Sequence, residues 1–217
     1  SLSERSDSRP TRCYKGAKRE ANCTCRRNRR RSTEGMSSGF VMPNYRRYRV
    51  PGGCWFFTVT LADRSSRLLV EQIDALRLAV ARVRDRHPFH IDAMVILPDH
   101  LHAIWTLPEG DTDFSRRWYL IKVAFTRSVV ASSFAVPRGR RPGERALWQR
   151  RFWEHLIRDE NDYARHFDYC HINPMKHGLV AHIADWPHSS FHRAVRDGIY
   201  DADWAGTAEP VGVFGET

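Results

Sequence analysis

The feature that most constrains the fold is a predicted β-hairpin within residues 91–107 (IDAMVILPDHLHAIWTL). Its first half is a nearly continuous apolar run with β-branched residues, and its second half alternates, so both halves are typical of strands. Pro98 and Asp99 lie between them and favour a turn. In the second strand, His100 and His102 share one face because successive side chains point to opposite sides. The other face carries four apolar side chains: Leu101, Ala103, Trp105 and Leu107.

Three elements are predicted around this hairpin. Residues 54–61 (CWFFTVTL) alternate and indicate a half-buried strand. From residue 69 to 83, apolar positions recur every three or four residues, which indicates an amphipathic helix that ends before Pro88. A second helix is expected to begin at a cap formed by residues 111–113. One side of it carries Phe114, Trp118, Ile121, Phe125 and Val129.

The C-terminal half adds a short strand within residues 148–158 (WQRRFWEHLIR) and a third helix within residues 159–173 (DENDYARHFDYCHIN). Residues 136–145 (VPRGRRPGER) indicate a basic loop before that strand. The order β-α-β-β-α-β-α predicts an α+β, ferredoxin-like split βαβ sandwich with an antiparallel sheet. Helices cover one sheet face in this arrangement, so we expect His100 and His102 to point to the uncovered face.

Positive charge is concentrated at the start of the chain. The 35 Lys and Arg and 25 Asp and Glu give a net charge of +10, and residues 1–35 hold eleven basic and four acidic side chains, or +7. Because this segment has few apolar residues, we expect residues 1–41 to form a disordered basic tail. Two interpretations stay open beside it: an arm that binds phosphates, or a segment that precedes a natural start at Met36 or Met42.

Cysteine use and hydropathy exclude two classes of protein. Five cysteines without regular spacing argue against a disulfide scaffold and favour a reducing cytoplasm. No apolar run approaches the length of about 18 residues that a membrane span needs, so we expect no membrane partner.

The histidine pair could bind a divalent metal if a third ligand came from elsewhere, but the spacing alone favours partly exposed strand histidines without a metal, by about two to one. On the third helix, about 100° per residue places Tyr163 and Phe167 on the packed face. Tyr169 falls on the opposite, polar side, with Asn173 one turn later. We expect Pro174 to end the helix after that amide. An exposed tyrosine beside a terminating asparagine is the ordinary alternative.

Three stretches resemble one known family: RRYRVPGGCWFFTVTL, PDHLHAIW and RFWEHLIRDENDYARHFDYCHINPMKHGLV. They are similar to the REP-associated tyrosine transposases, single-tyrosine members of the HUH endonuclease superfamily that act on short hairpin-forming repeats of bacterial genomes. The resemblance extends over about residues 45–206. It implies a catalytic domain of HUH-nuclease type, which we place at residues 42–182, in a bacterial, cytoplasmic and nucleoid-associated protein.

The resemblance also implies roles for particular residues. His100 and His102 would hold a divalent metal, Mg²⁺ or Mn²⁺, Asn173 would complete its site, and Tyr169 would be the nucleophile. The implied function is a metal-dependent single-stranded DNA endonuclease and transferase that cleaves and rejoins REP-type hairpin DNA through a 5′-phosphotyrosine. Two alternatives remain: a catalytically silent REP-hairpin-binding protein, and a basic RNA-binding ferredoxin-like module with exposed aromatic side chains on its central strands.

Substrate contacts are predicted at two basic segments. Before the first strand, arginines with an interleaved aromatic residue suit single-strand binding, and an ordinary solvated segment is the alternative. In the basic loop, DNA contact and a solvated segment are equally open. The candidates are Arg46, Arg47, Tyr48 and Arg49 before the first strand and Arg138, Arg140 and Arg141 in the basic loop. The resemblance suggests that the C-terminal extension, residues 183–217, helps to recognise DNA or covers the site; simple surface packing is the alternative. It favours a monomer, although other single-tyrosine transposases act as dimers.

Overall fold

A computed structural model of the chain describes residues 48–132 and 147–206. The predicted basic tail, Arg46, Arg47 and the three loop arginines lie outside the described residues. The strands are β1 (Cys54–Thr60), β2 (His90–Ile96), β3 (His100–Thr106) and β4 (Trp153–Leu156). The helices are α1 (Leu68–Glu71), α2 (Ile73–Arg86), α3 (Phe114–Ala131), α4 (Glu160–Lys176) and α5 (Phe191–Arg196), with a 3₁₀ turn at Ile183–Asp185.

The four strands form one antiparallel sheet in the order β2-β3-β1-β4. This order and the β-α-β-β-α-β succession confirm the ferredoxin-like α+β prediction. The register pairs Thr58 of β1 with His102 of β3, and Thr60 with His100. Both histidines therefore lie beside the C-terminal end of β1.

One side of the sheet, which we call the apolar face, packs against α2 and α3. It consists of alternate strand residues such as Trp55, Phe57 and Trp105, all at most 2% exposed. Trp105 stacks on Trp118 of α3 with ring centroids 4.0 Å apart. Helix α3 begins where predicted, because Asp113 accepts a hydrogen bond from the backbone N–H of Arg116.

The other side, which we call the histidine face, is also covered, so the expectation of an open face was wrong. Helix α4 packs over His100, His102 and neighbouring apolar residues such as Phe56 and Ile104, and the two histidines are 1% and 0% exposed. The strands bury apolar side chains on both sides, which a half-buried strand would not. The aromatic residues of the central strands are therefore buried, and the RNA-binding alternative lacks the exposed aromatics that it requires.

The side of α4 that sequence reasoning assigned to solvent is packed as well as the predicted packed side, where Phe167 is 5% exposed. Tyr169 is 2% exposed and Asn173 is 0% exposed. Helix α4 also continues past Pro174 and ends at Lys176, contrary to prediction. Gly178, two residues later, has a φ of +65°, the left-handed conformation typical of a helix stop. Pro174 lies in the last turn, where a missing N–H removes only one hydrogen bond of the helix.

Residues after α4 return to the outer edge of β2. The backbone N–H of Ile96 donates to His188 O, and that of Ser190 donates to Met94 O. The indole of Trp186 donates to Ile96 O at 2.9 Å. This short segment therefore extends the sheet by a few bonds and joins the core of the histidine face. Within the described parts of the chain, no helix is both long and apolar enough to cross a bilayer.

Candidate active site

His100 is held by a carboxylate from the turn that precedes it. Its Nδ1 lies 2.8 Å from Asp99 Oδ1, and Arg64 Nε lies 2.6 Å from the other oxygen of Asp99. Burial raises the pKa of Asp99, but the hydrogen bond and charge of His100 and the charge of Arg64 outweigh it, so the pKa lies below its ordinary value. A carboxylate that accepts from Nδ1–H leaves Nε2 as the basic nitrogen. That Nε2 is buried without a hydrogen-bond partner among the described residues.

His102 is fixed from the neighbouring strand. Its Nδ1 lies 3.0 Å from Thr58 Oγ1, and Phe56 stacks on its ring with centroids 5.5 Å apart. The His102 ring is 5.0 Å from that of His100, as expected for alternate residues on one face of a strand. The two imidazoles are therefore held side by side and oriented through their Nδ1 atoms.

Helix α4 brings the other candidate residues to the histidines. Tyr169, Asn173 and His177 follow one another at intervals of four residues and so share one side of the helix. The Tyr169 ring lies 5.3 Å from that of His102, and the His177 ring lies 5.1 Å from that of His100. Asn173 therefore lies between two contacts that tie α4 to β3.

The side chain of Asn173 is oriented by its own helix. Its Nδ2 donates to the carbonyl of Tyr169 at 3.2 Å, which leaves Oδ1 buried and without a partner among residues 48–132 and 147–206. Burying an acceptor without a partner costs free energy, so such atoms usually have a ligand. His100 Nε2 and Asn173 Oδ1 are both unpaired acceptors on this face, and nitrogen and oxygen acceptors are what a divalent cation binds. The residues present thus fit a metal site.

Two other tyrosines near α4 are not placed for the same chemistry. Tyr163 stacks on Phe167 with centroids 5.5 Å apart, as the helical wheel predicted. The hydroxyl of Tyr200 donates to Asp168 at 2.6 Å, and burial together with that carboxylate raises the pKa of Tyr200 far above its ordinary value. The ring of Tyr169, in contrast, lies against a histidine of β3.

A second group of metal-ligand residues connects β4 with α4. Ligand atoms of His155, Asp162 and His166 all lie within 4.8 Å of one another. They are, however, already bonded to each other, with His155 Nε2 2.8 Å from Asp162 Oδ2 and His166 Nδ1 3.1 Å from Oδ1. Burial lowers the pKa of His166 to about 4. Because these ligand atoms are bonded to one another, we interpret the group as a structural hydrogen-bond network that fixes the first turns of α4 against β4.

The predicted DNA-contacting residues that the structure describes lie at the other end of β1. Tyr48 is 77% exposed and Arg49 is exposed. They precede the end of β1 that pairs with Thr106, whereas His100 pairs with Thr60 at the far end. Direct participation of Tyr48 or Arg49 in the chemistry of the histidine face is therefore not indicated.

Sequence reasoning missed the residues that support the candidate site. Asp99 could have been found as the carboxylate directly before His100. Lys176, which donates to Tyr169 Oη at 3.1 Å, could have been found at seven residues, or two helical turns, from the tyrosine. Thr58 depends on strand register, for which the sequence carries no local signal.

An antiparallel ferredoxin-like sheet with paired histidines on a central strand and a tyrosine on the helix after the last strand defines a protein of HUH-nuclease type. The chain is 51% identical over 165 residues to the REP-associated tyrosine transposase of Escherichia coli (strain K12), which covers 76% of this chain and 92% of the relative. It is 44% identical over 169 residues to a putative REP-associated tyrosine transposase of Haemophilus influenzae, over 77% of this chain and 96% of the relative.

A solved structure of a REP-associated tyrosine transposase bound to a REP hairpin matches with a TM-score of 0.71 and 48% identity, over 81% of this chain and 98% of that chain. No family model matches the sequence. The chain belongs to the REP-associated tyrosine transposase family.

Proposed function

We propose that this protein is a metal-dependent single-stranded DNA endonuclease and transferase that cleaves and rejoins REP-type hairpin DNA through a 5′-phosphotyrosine. The observation that carries the proposal is the contact between the Tyr169 ring and His102, beside two buried, unpaired acceptors at His100 and Asn173. Hairpin DNA as the substrate is supported by the related transposase that was solved with a REP hairpin.

The residues that would hold the metal are His100, His102 and Asn173. Two imidazoles and one amide form a neutral ligand set, which suits Mg²⁺ or Mn²⁺ when phosphate oxygens supply the remaining ligands. When bound, such a cation supplies a Lewis acid that makes the phosphate more electrophilic. Asp99 and Thr58 would keep the two imidazoles oriented through their Nδ1 atoms.

Tyr169 is the proposed nucleophile. A phenol is a weak nucleophile at neutral pH, so its position against the phosphate matters as much as its identity. The bond from Tyr169 Oη to phosphorus forms while the bond from phosphorus to the 3′ oxygen breaks, which leaves a 5′-phosphotyrosine and a 3′-hydroxyl. Because one phosphodiester replaces another, the 3′-hydroxyl can attack in reverse. Cleavage and rejoining then need no nucleotide cofactor.

DNA binding is proposed for the basic segments at 46–49 and 138–141. Arginines there would neutralise phosphates, and Tyr48, exposed before β1, would stack on a base. Affinity for the hairpin should then fall steeply with salt, because each neutralised phosphate releases a counterion.

The test is to incubate the full chain with single-stranded REP-type hairpins labelled at the 5′ end or the 3′ end, with Mn²⁺, Mg²⁺ or a chelator, beside Tyr169→Phe. The proposal expects the 3′-labelled fragment to become covalently attached to the wild type only, and only with metal. Attachment in Tyr169→Phe would contradict the nucleophile. Binding of hairpins without any cut product would instead support a catalytically silent binding protein, an alternative that the 2% exposure of Tyr169 favours.

A further inference from the structure

Tyr169 has a cationic partner from its own helix. Nζ of Lys176 donates to Tyr169 Oη at 3.1 Å and lies 4.7 Å from the centre of the tyrosine ring. Seven residues correspond to two helical turns, so both side chains leave α4 on the same side. The contact is therefore built into a regular helix, and it does not depend on a loop.

These two contacts respond differently to ionisation of the tyrosine. Attraction between an ammonium and an aromatic ring is present whether the tyrosine is a phenol or a phenolate. The hydrogen bond to Oη, in contrast, strengthens when that oxygen becomes negative, because the ammonium then bonds to an opposite charge and no longer to a neutral oxygen. Lysine has only donors, so Oη accepts in this bond. The arrangement favours the phenolate over the phenol.

We propose that Lys176 is the cation that stabilises the Tyr169 phenolate, both when this oxygen attacks a DNA phosphate and when it departs in the reverse reaction. The proposal rests on the function proposed above. In cleavage, the phenolic proton passes to solvent, the Oη–P bond forms, the bond from phosphorus to the 3′ oxygen breaks, and that oxygen takes a proton from solvent. In rejoining, the same bonds form and break in the opposite order, and the departing phenolate keeps its bond to the ammonium.

The location of Lys176 distinguishes stabilisation of the phenolate from two simpler roles, solubility and binding of a DNA phosphate. Lys176 lies on the exposed end of α4, whereas Tyr169 is 2% exposed, so the contact joins a buried phenol to a lysine at the surface. A lysine with only a solubilising role would not need its Nζ on a buried hydroxyl. A lysine that only binds a DNA phosphate would affect hairpin affinity, which the test measures separately.

The first experiment compares single-turnover cleavage and rejoining of a REP-type hairpin across pH for the wild type, Lys176→Met and Lys176→Arg. Arg84→Met is the matched control, because it also removes one exposed positive charge but lies on α2, which packs on the apolar face. Lys176→Met should be slowed about 10- to 100-fold near neutral pH, less than a fully buried donor would cause, because Lys176 is exposed. The loss should shrink as pH rises, since the phenol then ionises unaided.

The control outcomes decide between the roles. Lys176→Arg should retain most of the rate, and hairpin affinity at fixed salt should equal that of Arg84→Met. A loss that stays constant with pH and is accompanied by weaker hairpin binding would overturn the proposal in favour of a phosphate contact. An unchanged rate in Lys176→Met would also overturn it.

A second readout needs no DNA. The phenolate absorbance of Tyr169 is obtained from the difference between wild type and Tyr169→Phe across pH, and again in the Lys176→Met background. Ionisation of Tyr169 should move to higher pH without Lys176; coincident curves would refute the coupling even if the enzyme cleaves. If the curves separate but the wild type cuts no hairpin, the coupling stands and the proposed function fails. Circular dichroism of each variant verifies that it is folded.

Discussion

The apolar face and the histidine face are made from alternate residues of the same strands, yet the indole nitrogens buried at the first and the candidate ligand atoms buried at the second are polar atoms of opposite kinds. On the apolar face, Trp55, Trp105 and Trp118 each leave an indole N–H buried without a partner among the described residues. On the histidine face, the unpaired atoms at His100 and Asn173 are acceptors. An indole N–H can only donate, so it cannot bind a cation.

This difference implies that the apolar face mainly stabilises the fold, whereas the histidine face is built to bind a ligand. Each indole brings a large apolar area to a stacked core, which offsets its unpaired N–H. An imidazole and an amide bring far less apolar area, so the unpaired acceptors remain a net cost unless a ligand binds. The comparison implies that substitutions on the apolar face should reduce stability, and that substitutions on the histidine face should reduce activity.

The largest effect on stability is expected from Trp118→Ala. Trp118 is 0% exposed and stacks on Trp105, so removing it should lower the free energy of unfolding by about 3–5 kcal/mol. Denaturant titration measures this, with Tyr119→Ala as the control, since Tyr119 is the next residue and is 64% exposed. A loss below about 1 kcal/mol for Trp118→Ala would contradict a stabilising role for this face.

His100→Leu should give the reverse pattern. Leucine fills much of the space but binds no cation, so metal-dependent cleavage should fall by at least about 10²-fold, on the scale of losing one preorganised catalytic group. The free energy of unfolding should change by less than about 1 kcal/mol, because an unpaired buried atom is lost as well. Unfolding without metal and cleavage with metal are measured on the same sample. Full activity would contradict a metal ligand at this position.

Acid should lower the free energy of unfolding through two buried histidines of α4. Burial lowers the pKa of His166 to about 4 and that of His171 to about 3, both from 6.5. As pH falls below 6.5 the unfolded chain binds these protons and the folded chain does not, so stability falls until each folded pKa is reached and is then flat. For His166 the loss is about 3 kcal/mol between pH 6.5 and 4. His166→Gln should flatten this part of the stability curve, whereas Trp118→Phe should leave its slope unchanged.

The smallest predicted effect concerns a supporting hydroxyl. Thr58→Val keeps the shape of the side chain but removes the partner of His102 Nδ1, so metal-dependent cleavage should fall by about 10- to 100-fold. Thr58→Ser keeps the hydroxyl and should retain the rate. Equal rates for the two variants would show that the bond to Thr58 does not orient His102.

The sequence was sufficient to predict the elements whose signals are local. The turn at Pro98 and Asp99, the cap at Asp113 and the short strand at β4 are all present. The strand order follows from the order of these elements, because few topologies accommodate it.

The packing of the histidine face could not be predicted because it depends on side chains that count as polar in a helical wheel. Tyr169, His166 and Asn173 are all buried against the sheet. Arg117 of α3 carries a charge, yet it is 3% exposed and bonds Asp111 at 2.6 Å, so its charge is paired below the surface. Such burial depends on partners that are distant in sequence, whereas a helical wheel describes the residues of a single helix.

The segment at residues 188–190 has a consequence for how the sheet meets other molecules. A strand at the margin of a sheet offers unpaired backbone groups that a second chain can join, which is a common route to aggregation. The bonds of Ile96 and Met94 to this segment cap part of the seven-residue strand β2. The opposite margin is β4, which has only four residues and is flanked by Arg150, Arg151 and Arg158. One margin is thus shielded by the chain itself, and the other is short and ringed by charges that repel a second copy.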